Sequence, residues 1–203
     1  SVPDNQAAIE FFSKKGYWTF HIRYRGSWES SGKFLAKSPV EDILDVIGEL
    51  PKGFTEAWSG KKIKLTPDKT FVVCSSFGGA AGIIASTSNK IDKVIAVSPM
   101  IDWRHPGLEE PYDKMMKFFT EGFGEGYRLA SNAWAKLKSG KFFNPINHTK
   151  QINGSKLLVI HAKDDLTCPY KITEKFCKEN HIKLITLNKG GHMSSKILMQ
   201  PRY

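Results

Sequence analysis

Thr70-Phe71-Val72-Val73-Cys74-Ser75-Ser76-Phe77-Gly78-Gly79-Ala80-Ala81-Gly82 is the stretch that decides the fold. A short β-branched and aromatic run meets a tight turn carrying serine, and glycines and alanines then open a helix. This pattern predicts a nucleophile elbow, a strand-to-helix turn whose central residue is held in a strained backbone conformation. Only small residues fit two positions before the apex and two or three after it. That condition selects Ser76, flanked at those positions by Cys74, Gly78 and Gly79. With Ser75 at the apex the same positions would hold Val73 and Phe77, which would clash. The N–H of Phe77 would lie at a helix N-terminus, where a free donor and the helix dipole favour a developing oxyanion. The plainer alternative is a glycine-rich turn that binds a phosphate or only permits close packing.

The 203 residues are ample for one domain with a sizeable core and short for two. With 40% apolar and 25% charged residues the composition is that of an ordinary globular protein. No apolar run approaches the ~18 residues that span a bilayer, and the first residues lack a signal-peptide pattern, so a cytoplasmic protein without membrane contact is expected. Cys74, Cys168 and Cys177 are too few and too irregular for a disulfide framework or a zinc site. The net charge of +10 raises the question of nucleic acid, but the lysines are scattered and no nucleic-acid-binding motif surrounds them. A solvated basic surface is the expectation.

Outward from the elbow, Pro3-Asp4 reads as a helix start and Ala7, Ala8, Phe11 and Phe12 as its apolar face. Tyr17 to Arg23 reads as a strand, followed by the polar loop Tyr24-Arg25-Gly26-Ser27-Trp28-Glu29-Ser30-Ser31-Gly32. Ser38-Pro39-Val40-Glu41 is a capping box with proline at the first helical position. After the elbow helix, Lys93 to Ser98 is a continuous apolar strand expected to be buried on both faces. Residues 104–150 then break the pattern: they are aromatic-rich and interrupted by Gly122, Gly124, Gly126 and Gly140, with helical pieces over Tyr112 to Thr120 and Tyr127 to Leu137. An excursion of that length between core strands reads as a lid or binding insertion within a single domain spanning 1–203. Alternation resumes with a strand over Lys156 to His161, a helix from Tyr170 to Asn180, and a strand from Ile182 to Leu187. The whole predicts an α/β fold, a mostly parallel sheet with helices on both faces.

Ligands of such sheets sit beyond the carboxyl ends of the strands. Ser76 follows the elbow strand. His161-Ala162-Lys163-Asp164-Asp165-Leu166-Thr167-Cys168-Pro169 ends the next-to-last one, and Asn188-Lys189-Gly190-Gly191-His192 follows the last. A serine hydroxyl is a weak nucleophile, so it needs a histidine to take its proton and a carboxylate to orient that histidine. Serine, acid and histidine in this order supply those parts.

On these residues the chain resembles the α/β-hydrolases. The elbow is similar to the family's nucleophile motif, with Cys74 where a glycine is usual. His161 to Pro169 resembles the family's H-G-x-x-D-x-x-V-P segment, and Gly190-Gly191-His192 resembles its histidine loop. Tyr24-Arg25-Gly26-Ser27 is similar to a loop of esterases and prolyl-oligopeptidase-like members. The resemblance implies acyl transfer to water through an acyl-serine, without metal or organic cofactor. It implies Ser76 as nucleophile, His192 as general base and acid, and Asp165 as the orienting carboxylate. Asp164 is the rival acid, disfavoured by the spacing from His161 and to Pro169; Asp102 is a second rival, read with Trp103 as pocket floor. His161 reads as structural. Activity is expected to fall at acid pH as His192 takes up a proton.

The family sheet has eight strands and five can be placed here. The missing third strand would leave a gap beside the elbow strand, and its loop would supply the second oxyanion donor. The expectation is therefore a polypeptide beginning upstream of Ser1, with Ser1 to Asn5 as the tail of that loop and an early end at Pro201-Arg202-Tyr203. The leading functional reading is hydrolysis of small or medium acyl esters, with Trp103, Phe118, Phe119, Phe123 and Trp134 lining an acyl or aromatic pocket or only packing the lid. The alternatives are a peptidase or acyl-aminoacyl hydrolase, and a non-catalytic binding protein on the same fold.

Overall fold

The computed structural model describes residues 6–108 and 111–200. In chain order it contains α1 (Gln6–Ser13), α2 (Pro39–Glu49), a small antiparallel pair β1 (Phe54–Thr55) and β2 (Lys62–Ile63), then β3 (Phe71–Ser75), α3 (Ser76–Ala85) and β4 (Lys93–Val97). Helices α4 (Tyr112–Phe123) and α5 (Ala133–Lys138) lie in the excursion, followed by β5 (Leu157–Ala162), α6 (Tyr170–Glu179) and β6 (Lys183–Leu187). Strands β3 to β6 form one parallel sheet in that order. Ser75 pairs with Val97, Val97 with Ile160, and Ala162 with Leu187, so the carboxyl ends of the four strands finish nearly level. That edge is where the candidate site forms.

Alternate residues of each strand enter two cores, which explains why the strands read as continuous apolar runs. Val72, Cys74, Val94, Ala96, Leu157, Val159 and Leu184 join the larger core with α2, α3 and α6. Val73, Ile95, Val97, Ile160, Ala162, Ile185 and Leu187 join the smaller one with Phe12 of α1 and with Met193, Ile197 and Leu198. Helix α3 is apolar on every side because it is buried from Gly79 to Ala85, between the sheet and α2. Helix α2 begins at the expected capping box, with Ser38 Oγ accepting from the N–H of Val40 and Glu41 Oε1 accepting from the N–H of Ser38.

Two expected elements form differently. Tyr17 to Arg23 makes no strand. A strand exists only by pairing its backbone, and this segment has no ladder among the described residues; Tyr17 meets Phe71 of β3 ring to ring at 6.0 Å. Among the described strands β3 is at the edge of the sheet, and its Phe71 is exposed, as are Tyr17, Trp18 and Phe20 of the preceding segment. The second helix of the excursion covers only Ala133–Lys138. Upstream, Asn132 takes a left-handed conformation that stops a helix, and residues 126–130 run beside the 26–34 loop. There Trp28 N–H donates to Gly126 O, Arg128 N–H to Gly26 O, and Ala130 N–H to Phe34 O, each at 2.8 Å. The excursion is thus laced onto the Tyr24-Arg25-Gly26-Ser27 loop. The predicted start at Pro3-Asp4, the Ser1 to Asn5 tail and the Pro201-Arg202-Tyr203 end lie outside the described residues.

The glycines of the elbow helix are fixed by close approach. A Cβ at Gly79 would stand 2.7 Å from Pro99 Cβ, and one at Gly82 would stand 2.4 Å from Cys74 Sγ. Cys74, larger than the usual glycine, is therefore accommodated by a glycine one turn further along the helix. Gly82→Ala is expected to destabilise the protein by about 1–3 kcal/mol in urea unfolding. Adding Cys74→Ala should recover most of that loss, since it removes the atom that clashes.

Candidate active site

Ser76 has φ 52°, a left-handed conformation rare for a residue with a side chain, whereas Ser75 is extended at φ −144°. Of the two serines it is Ser76 that occupies the strained turn the sequence predicted. It begins α3, whose N-terminus has no side-chain cap. The first-turn N–H groups, that of Phe77 among them, are therefore available to an anion.

The acid and the histidine meet at the ends of β5 and β6. His192 Nδ1 lies 3.0 Å from Asp165 Oδ2 and 3.2 Å from Oδ1. A carboxylate can only accept, so Nδ1 carries the hydrogen and Nε2 is left as the basic nitrogen. Asp165 is 5% exposed and saturated with donors. Oδ1 accepts from the N–H of Thr167 at 2.9 Å and of Cys168 at 2.8 Å, and His161 Nε2 lies 3.0 Å from Oδ2. Burial would push this carboxyl upward, but the hydrogen bonds from His161, His192 and the Cys168 N–H, and the nearby His192 charge, hold it well below the usual carboxylate range. No hydrogen bond joins Ser76 to His192 among the described residues. The structure pairs Asp165 with His192 and sets Ser76 at the same carboxyl edge of the sheet, at the end of β3, with β4 between that strand and β5.

The rival acids have other partners. Asp164 Oδ1 accepts the N–H groups of Gly190 at 3.0 Å and Gly191 at 2.9 Å, tying down the loop that carries His192. Ser98, fully buried just beyond β4, accepts the N–H of Met193 on its hydroxyl at 3.2 Å. His192 is thereby held by a backbone anchor on each side. Ser98 itself has φ 44°, a second strained residue at the carboxyl edge. The sequence reading missed both anchors. Asp102 is bound by Arg104 through two guanidinium bonds of 2.9 and 2.8 Å, by Asn144 Nδ2 at 2.9 Å and by His105 Nδ1 at 3.1 Å. Burial opposes its ionisation, yet the bonds from Arg104, Asn144 and His105 keep it below the usual carboxylate range.

Phe77 anchors a continuous aromatic assembly. Its ring contacts Tyr24, Phe34, Trp103 and Phe143 at centroid distances of 5.1 to 5.7 Å. Phe34 meets Tyr127 at 5.1 Å, and Tyr127 meets Phe119 at 4.9 Å and Phe123 at 5.4 Å. Phe119 continues to Trp134 at 5.7 Å, and Phe118, 60% exposed, packs on Phe123 at 5.1 Å. Trp103 is 2% exposed and donates its indole N–H to Phe143 O at 2.8 Å, so it lies beneath the elbow as core. Trp134 Nε1 is buried without a hydrogen-bond partner among the described residues. Trp28 and Phe34 belong to this assembly although they precede the elbow by more than forty residues of chain, which is why composition of the excursion alone did not reveal them.

A strained serine at a strand-to-helix turn, with acid and histidine following later strands of a parallel sheet, is the arrangement of α/β-hydrolase serine hydrolases. Residues 3–201 match the sequence model of the prolyl oligopeptidase family, and the chain belongs to that family. It is a serine hydrolase on an α/β-hydrolase fold. A comparison with curated proteins yields no match. Among solved structures the chain is similar to an esterase of Pyrococcus furiosus, with TM-score 0.65 and 20% identity over 92% of this chain and 67% of that one. It is also similar to a monoacylglycerol lipase of Paleococcus ferrophilus, with TM-score 0.58 and 16% identity over 93% and 80%. A carboxylesterase structure from Nitrososphaera gargenis gives TM-score 0.63 and 13% identity over 96% and 83%. At these identities the likeness concerns the fold.

The two N–H bonds of Asp164 should be visible without any assay of activity. In hydrogen exchange, the Gly190 and Gly191 amides are expected to be protected in the native protein and to exchange at least about 10-fold faster in Asp164→Ala, matching the loss of about 1.4 kcal/mol or more of local stability. Unchanged exchange would remove the anchor.

Proposed function

We propose that the protein hydrolyses carboxylic esters of small or medium acyl groups through an acyl-serine, with Ser76 as nucleophile, His192 as general base and Asp165 as its orienting acid. The observation that carries this reading is the Asp165–His192 pair at the same sheet edge as a serine held at φ 52°. His192 Nε2 takes the Ser76 proton as Oγ attacks the ester carbonyl. The tetrahedral oxyanion is stabilised by the Phe77 N–H at the start of α3. His192 then returns the proton to the leaving alkoxide, and water repeats the sequence on the acyl-serine. The Ser76–His192 hydrogen bond forms when substrate is bound, as is common where the apo geometry is loose.

Residues 104–150 are assigned as a lid whose aromatic assembly receives the acyl chain. Phe118, Phe119, Phe123 and Trp134 form its apolar part, and Trp103 supports Phe77 from below. The exposed ring of Phe118 and the half-buried Phe119 and Phe123 support this assignment. Among the described residues no helix is long and apolar enough to cross a membrane. No disulfide joins Cys74, Cys168 and Cys177, and on that ground a reducing compartment such as the cytoplasm is assigned. Cleavage of aminoacyl or acyl-aminoacyl bonds is the second reading, favoured by the family match.

The test is a series of p-nitrophenyl esters from acetate to decanoate beside aminoacyl p-nitroanilides. Ester turnover is expected to exceed anilide turnover. It should fall by about 10³-fold or more in Ser76→Ala and Asp165→Ala. Anilide turnover that equals or exceeds ester turnover would establish the second reading. Because its hydrogen bonds hold Asp165 well below the usual carboxylate range, that carboxylate should contribute nothing to the acid limb of kcat/KM, which is expected to follow a single proton. A limb of two protons would mean that Asp165 also titrates there.

A further inference from the structure

Asp165 accepts more hydrogen bonds than the orientation of one histidine requires, and one of the additional donors is a second histidine. His161 is fully buried, with 0% exposure, on the face of β5 that meets the larger core. Its ring stands edge-on to Tyr170 at 5.7 Å. Nε2 lies 3.0 Å from Asp165 Oδ2 and 3.1 Å from Cys168 O, and both of those oxygens can only accept. Nε2 must therefore carry the hydrogen, since a bare nitrogen there would face two oxygens lone pair to lone pair. The other ring nitrogen, Nδ1, is buried and has no hydrogen-bond partner among the described residues.

A histidine serving only to fill space is hard to reconcile with that arrangement. Leaving a ring nitrogen dry forfeits its hydration with nothing in return, and an apolar residue would fill the same volume without that cost. What an apolar residue would lack is the Nε2–H. That hydrogen is directed at Oδ2, the oxygen that His192 Nδ1 reaches from the other side at 3.0 Å. We propose that His161 is a positioning residue of the active site, whose Nε2–H fixes the rotation of the Asp165 carboxylate and so the placement of the His192 ring. This inference rests on the roles given above to Ser76, His192 and Asp165.

One torsion of Asp165 carries the effect. The terminal torsion of an aspartate is broad, so a carboxylate held at one oxygen can swing the other. Oδ1 is held by the N–H groups of Thr167 and Cys168, both in the loop that follows β5. His161 holds Oδ2 from within β5, the most regular part of that region. Three donors from the protein interior thus leave the carboxylate one direction in which to accept His192. The Cys168 carbonyl, also within reach of Nε2, ties His161 to the same loop and limits how far Asp165 and the ring can separate.

His161→Gln keeps an amide donor near the Nε2 position, and His161→Met fills a similar volume with no donor. Both are compared with the wild-type protein by thermal unfolding and by kcat and KM for the best p-nitrophenyl ester. The expected result for folded His161→Met is a kcat lower by roughly 10-fold with KM changed less than about 2-fold, the mark of a group whose effect is on the reaction and not on ester binding. His161→Gln should retain kcat within about 3-fold of wild type. Equal kcat in wild type and His161→Met, or an equal loss in Gln and Met, would overturn the proposal. Should His161→Met not fold, the decision falls to ¹⁵N NMR of wild-type histidines: protonation at His161 Nε2 supports the proposal, and protonation at Nδ1 overturns it. Absence of ester and anilide turnover in wild type would instead remove the catalytic reading on which the proposal rests, whatever the variants do.

Discussion

The left-handed backbone of Ser76 is the constraint on which the rest of the site depends. A residue with a side chain at φ 52° is strained by about 1–2 kcal/mol, and it holds that conformation only because its surroundings leave no other path. β3 must stop at Ser75 and α3 must start at once, under Pro99 and above Cys74. Those two contacts dictate Gly79 and Gly82, and they explain why the helix behind the elbow is built from glycine, alanine and isoleucine without a polar side chain in its buried part. The arrangement turns the serine outward at the edge where the other strands end, and it sets uncapped N–H groups beside it.

The second half of the site depends on anchors that differ in kind. Ser76 is placed by backbone geometry, whereas His192 lies in a loop beyond the last strand and must be held by side chains. Asp164 takes two N–H groups on one side of it, and Ser98 takes one on the other. Asp165 then sets its ring. The adjacent acids Asp164 and Asp165 therefore divide the work, one holding the loop and the other the imidazole. Asp165 can do so because its own carboxylate is satisfied by the Thr167 and Cys168 amides and by His161.

Much of this was legible in the amino-acid sequence. The size rule at the elbow distinguished Ser76 from Ser75, the capping box placed the start of α2, and the alternation of apolar runs with amphipathic stretches predicted a parallel sheet, as β3 to β6 form. What escaped was non-local. Tyr17 to Arg23 has the composition of a strand, but composition cannot tell whether a partner lies beside it, and none does among the described strands. Residues 127–132 have a helical pattern, yet their backbone is bonded to a loop a hundred residues earlier. The same applies to Ser98, Asp164 and His161, whose partners are set by the level ending of the strands. Trp103 could be foreseen as aromatic and near the site; that its ring supports Phe77 from beneath is a matter of packing.

The central claim is that Ser76 is an activated nucleophile. It is tested most directly by treating the protein with a fluorophosphonate probe and reading the adduct by intact mass, with Ser76→Ala and Ser75→Ala in parallel. The account predicts one adduct on wild type and on Ser75→Ala, and none on Ser76→Ala. Labelling that persists in Ser76→Ala, or a folded wild-type protein that takes up no probe, would contradict it.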